Sequence, residues 1–99
     1  MYRGTTPKVI IELDVKVSDI EVAYLTFTQN NIVMFEKTLD DCHCADNVLT
    51  CVLTQDETLS LAAGVPLVIQ ARVKMKDGTA TASGLQIIKV LDVFKDGVI

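Results

Sequence analysis

The chain has 99 residues, 49% hydrophobic and 22% charged, with a net charge of −4, which suits one packed core and is wrong for a disordered chain. Its nine Lys and Arg are scattered apart from Arg72, Lys74 and Lys76, leaving no electrostatic basis for binding a nucleic-acid backbone or an anionic membrane. The uncharged run Thr58 to Gln70 is interrupted by Gly64 and Pro66 and is too short to span a bilayer. Met1 to Pro7 carries no apolar secretory region, so the expectation is a cytoplasmic product with three reduced thiols.

No repeat, low-complexity stretch or linker divides the chain, and residues 1–99 read as one domain. Strand-like alternation starts at Lys8 to Leu13 (KVIIEL), which puts Val9, Ile11 and Leu13 on one face and Ile10 and Glu12 on the other. Asp14 to Ile20 is a connection. Val22 to Thr28 sets Ala23, Leu25 and Phe27 inward with Tyr24, Thr26 and Thr28 outward. Gln29-Asn30-Asn31 then closes a hairpin, since Asn tolerates the left-handed backbone such turns need. The returning strand, Ile32 to Leu39, is expected to show Val33 and Phe35 on one face, Met34 on the other, and Glu36 and Lys37 as a surface pair.

Cys42 to Ala45 and Val48 to Leu53 flank Asp46-Asn47, a two-residue hairpin loop. Thr54-Gln55-Asp56-Glu57 matches a capping box and predicts a helical turn through Leu59 or Leu61, ended by Gly64. Pro66 opens the clearest strand, Leu67 to Lys76, with Leu67, Ile69, Ala71, Val73 and Met75 inward. Asp77-Gly78 is a hairpin signal, and the last strand runs from Thr79 to Leu91, with Ser83-Gly84 marking a bulge or a switch between sheets. About seven strands, with turns every 8 to 12 residues and one helical turn, predict an all-β immunoglobulin-like antiparallel sandwich. A small barrel is the alternative.

All three cysteines and the single histidine fall within Cys42 to Cys51. With Asp46-Asn47 as the turn, Cys42 pairs with Cys51, His43 with Thr50, and Cys44 with Leu49. Alternation then puts Cys42, Cys44, Leu49 and Cys51 on one face and His43 on the other. Zinc would need four convergent ligands, and a cysteine nucleophile would need a base within reach; this pattern offers neither. The cysteines are therefore expected to fill core space, with a Cys42–Cys51 disulfide allowed by register but not expected in a cytoplasmic chain.

No catalytic, metal or cofactor-binding residue is assigned. Asp40, Asp41 and Asp46 lack calcium-loop spacing and read as solvated turns; Glu12 and Asp14 do not make a glycosidase pair; no Gly-x-Ser-x-Gly elbow accompanies the histidine. Tyr2 and Tyr24 are the only candidate aromatic platforms. Arg72, Lys74 and Lys76 form a stripe that keeps an exposed sheet soluble or meets an acidic partner. The termini, Tyr2-Arg3-Gly4 and Phe94 to Ile99, lie beyond the expected core, placed either to dock on a neighbouring copy or to fray.

"RGTTP" at residues 3 to 7, "LTFTQNNIVMFEKTLDD" at 25 to 41, "LTQDETLSLAAG" at 53 to 64, "IQARVKMKDGTATAS" at 69 to 83 and the closing "DVFKDGVI" resemble small proteins encoded by phages and prophages of Firmicutes. More distantly, the chain is similar to the immunoglobulin-like N-terminal module of phage baseplate upper proteins. The resemblance implies a non-enzymatic tail or baseplate-associated component, present in the bacterial host cytoplasm during assembly or in the virion. Its partners would be other phage structural proteins and itself. The alternative is a module binding a host cell-surface glycan or peptide through loops around Asn30, Asn31 and Asp46.

Overall fold

In a computed structural model describing residues 1–99, eight strands sort into two antiparallel sheets. They are β1 Lys8–Glu12, β2 Ile20–Gln29, β3 Ile32–Thr38, β4 Cys42–Ala45, β5 Val48–Val52, β6 Leu67–Met75, β7 Ala80–Ala82 and β8 Gln86–Ile88. The smaller sheet runs β1-β5-β4; the larger runs β3-β2-β6-β7, with β8 also on β6. The chain thus enters the smaller sheet, makes a hairpin in the larger, returns for the β4–β5 hairpin and finishes in the larger. This alternation is that of strands B to G in an immunoglobulin-like sandwich, with β3 as the added C′ strand.

Period-2 patterning builds the core. Leu25 and Phe27 on β2, Leu67, Ile69 and Ala71 on β6, and Leu49 and Cys51 on β5 are fully buried between the layers. Phe27 stacks on Phe35 of β3 with ring centroids 4.6 Å apart. The same parity makes Gln29 the last inward residue of β2; it stays buried because its amide donates to the carbonyls of Ala62 and Val65, both at 2.9 Å, and accepts from the Ala62 N–H. Every polar group of that side chain is thereby satisfied.

Asn30 and Asn31 take positive φ of 52° and 63°, as the β2–β3 turn requires. Thr54 caps α1, Gln55–Leu59: its hydroxyl accepts from the Glu57 N–H, and the Glu57 carboxylate accepts from the Thr54 N–H. The helix runs through Leu59, one of the two expected ends, and beyond it the Ser60 hydroxyl donates to the Glu57 carbonyl.

Four expectations are corrected. The strand expected from Thr79 to Leu91 is two strands, β7 and β8, so the count is eight. Both remain on β6, and Ser83 fills the interval: its N–H donates to the Ala71 carbonyl and its hydroxyl accepts from the Ala71 N–H. Val33 and Phe35 lie on opposite faces, because a bulge opposite Phe27/Thr28 inserts Met34, so that Phe35 pairs with Phe27 and Val33 with Thr28. Lys37 is no surface partner of Glu36; it lies opposite inward-facing Leu25 and bridges to Glu57 at 2.7 Å. The connection from Asp14 and the Asp40-Asp41 turn each contain a short 3₁₀ turn, Val17–Asp19 and Leu39–Asp41.

Candidate interaction surfaces

The cysteine hairpin has the expected register: Cys42 opposite Cys51, His43 opposite Thr50, Cys44 opposite Leu49 and Ala45 opposite Val48. His43 is exposed on the outer face and does not approach the thiols. Cys42 and Cys51 are joined as a disulfide across a 4.6 Å Cα separation, which corrects the expectation of three reduced thiols. The reason is the ladder. The backbone groups of Cys51 turn toward β1, so Cys42 and Cys51 occupy a non-hydrogen-bonded pair, the closer of the two antiparallel spacings. Cys44 keeps its thiol, half-buried against the core.

Both termini are held at the end of the sandwich that carries α1. The N–H of Arg3 donates to the Leu91 carbonyl and the N–H of Leu91 to that of Met1. The Arg3 guanidinium donates to the carbonyls of Leu61 and Leu59 at 2.8 Å and to Asp92 at 2.7 Å, with Asp96 3.8 Å away. This contact with Arg3 holds the Asp92 carboxyl below its ordinary range. Gln55 exchanges two hydrogen bonds with the backbone of Ile99. Both ends are thus in contact with the sandwich, and Phe94 projects from the tail fully exposed.

On the outer face of the larger sheet, Tyr24 lies opposite Arg72, and Arg72 opposite Ala82. Val22, Tyr24, Arg72, Lys74 and Ala80 border an open hollow of about 240 Å³. Lys74 reaches Glu21 only at 4.0 Å, both side chains being more than half exposed. The loops considered for host recognition do not meet. Asn30 and Asn31 lie beyond Gln29, while the Asp46 carbonyl accepts from Val17, just before β2 begins. The ten residues of β2 separate the two sites, a span of roughly 30 Å at the rise of a strand.

The sheet edges differ in what they leave unpaired. Leu53 donates to the Pro7 carbonyl and Leu13 to that of Asn47, so Val9 and Ile11, between them, also turn their backbone groups toward β5. The N–H and C=O groups of Lys8, Ile10 and Glu12 therefore point to the free edge of β1, where no strand pairs with them. Ile10 is 59% exposed on the outer face. Two adjoining open cavities of about 130 and 230 Å³ follow this edge, each bordered by Glu12, Ser83 and Gly84.

Arg3, near a terminus, carries no periodic signal of an anchor, and Ser83-Gly84 marks a break in the strand without announcing the bonds of Ser83 to Ala71. Gln29 was legible in principle, from its parity with Ala23, Leu25 and Phe27. No helix is long and apolar enough to cross a membrane. Comparison with protein-family models, curated proteins and solved structures finds no match to the chain.

Proposed function

We propose that the chain is a non-enzymatic interaction protein, a phage or prophage tail or baseplate-associated component that works through protein–protein contacts. The observation that carries the interaction reading is the combination of a tied-down scaffold with unsatisfied surface: a free strand edge at β1 beside exposed Ile10, and a fully exposed Phe94 on an anchored tail. Exposed strand edges and apolar anchors are features through which sandwiches bind other chains. The phage setting rests on the sequence resemblance of the segments around "LTFTQNN" and "ARVKMKDGT". The alternative of a glycan or peptide module is disfavoured by the separation of the Asn30-Asn31 and Asp46 loops, which do not form one surface.

Coexpression with the structural proteins of a Firmicutes phage tail module tests this reading. The expected result is co-sedimentation with assembled tail or baseplate particles in fixed stoichiometry. A chain that stays out of every particle and is monomeric alone overturns it.

A further inference from the structure

The free edge of β1 is self-complementary. We propose that two copies of this chain pair antiparallel through β1, related by a two-fold axis at Ile10, joining their smaller sheets into one continuous six-stranded sheet. The inference deepens the proposed function by naming a second copy as one partner, and it rests on that reading.

Register and charge both lead there. Centring an antiparallel pair on Ile10 sets Ile10 against itself, Lys8 against Glu12 of the second copy, and Glu12 against its Lys8. These are the three residues whose backbone groups face the free edge, so all three positions become hydrogen-bonded pairs, each exchanging two bonds. Their side chains share the exposed face of β1. Two opposite-charge cross-strand pairs then flank an Ile–Ile contact, a favourable arrangement, with Val52, 50% exposed and opposite Lys8, beside it. A two-fold contact that buries the same patch on both molecules is the commonest route to a closed oligomer. The cavities beside Glu12, Ser83 and Gly84 leave the edge open to an incoming strand.

The remaining edges are blunted in ways β1 is not. β4 has four residues; β7 and β8 have three each and are interrupted at Ser83-Gly84; β3 is bulged and its Lys37 is tied to Glu57. β1 is regular, and Lys8, which alone would discourage pairing, meets Glu12 in this register.

Light scattering over a concentration series tests the pairing on wild type, Lys8→Glu, Glu12→Lys and the double reversal, with circular dichroism verifying the fold of each. Wild type is expected to dimerise. Each single reversal sets like charges opposite at both pairs and weakens the dimer roughly tenfold or more. The double reversal restores it, and mixing the two single variants yields a heterodimer, because their charges complement one another. A wild-type monomer at the highest concentration reached, single variants as dimeric as wild type, or a double reversal as weak as the singles overturns the proposal. Entry into tail particles is read separately: a chain that fails these tests yet joins particles removes the β1 dimer and leaves the proposed function standing.

Discussion

The two sheets share one core but treat their margins differently. The larger sheet rests on β2 and β6, ten and nine residues long, and its outer strands are bulged, charged or broken. Where the ladder breaks, Ser83 supplies both a donor and an acceptor to Ala71. The smaller sheet has no strand longer than five residues, is cross-linked at one margin by Cys42–Cys51, and leaves β1 open at the other. Both sheets bury an inner face in that core, so the contrast lies at the margins: the larger sheet closes off its edges, and the smaller one has an edge to spare.

The sharpest way to break this division is to cut the core on each side. Phe27→Ala, deep in the larger sheet and stacked on Phe35, is expected to lower the unfolding free energy by about 3–5 kcal/mol. Urea denaturation should show both sheets lost in one transition; early loss of the smaller sheet alone would show that the layers are not one cooperative unit. Reduction of the Cys42–Cys51 bond comes next. It closes a loop of sequence separation 9, and opening a loop of that size costs up to roughly 3 kcal/mol. Thiol titration of the unfolded chain should rise from one group to three, and the added amide exchange should concentrate in β4 and β5. Exchange spread equally over β2 and β6 would contradict the separation of roles.

Arg3→Met is expected to cost about 2 kcal/mol, the range for hydrogen bonds made by a charged donor, and to release the tail from Asp92 onward to proteolysis. Thr54→Ala removes the α1 cap and should cost about 1 kcal/mol, read as a lowered urea midpoint. The smallest effect is in acid. Burial raises the Glu57 pKa, but hydrogen bonds from Lys37 and from the Thr54 N–H outweigh it, and the net direction is below the ordinary 4.5. A carboxylate with a lowered folded pKa contributes stability that is full above its unfolded value and is lost as pH falls through the folded one. Stability should therefore hold above about pH 5 and decline below. In Lys37→Met that decline should be shallower; an unchanged slope would remove the Lys37–Glu57 pair from the explanation.

Much of the fold was legible because period-2 alternation survives wherever a strand has one wet face. The inward sets of β1, β2 and β6, the asparagine turn, the Thr54 capping box and the Cys42–Cys51 register all follow from local pattern. Val33 was misplaced because a bulge reverses parity, and nothing in Ile32-Val33-Met34-Phe35 announces the extra residue. Lys37 was misread because its partner lies on α1, twenty residues away. The disulfide was discounted by an argument about compartment although the register allowed it. Of the surfaces, the Lys8-Ile10-Glu12 face was visible in the alternation; that its backbone is unpaired required knowing that β1 stands at an edge.

The most direct measurement is hydrogen exchange at the amides of Lys8, Ile10 and Glu12 in wild-type protein, followed from dilute to concentrated solution. The β1 pairing predicts that these three amides exchange freely when dilute and become protected together as concentration rises, while the margins at β3, β4 and β8 do not change. Exchange that is independent of concentration, or protection arising at another margin, would contradict it.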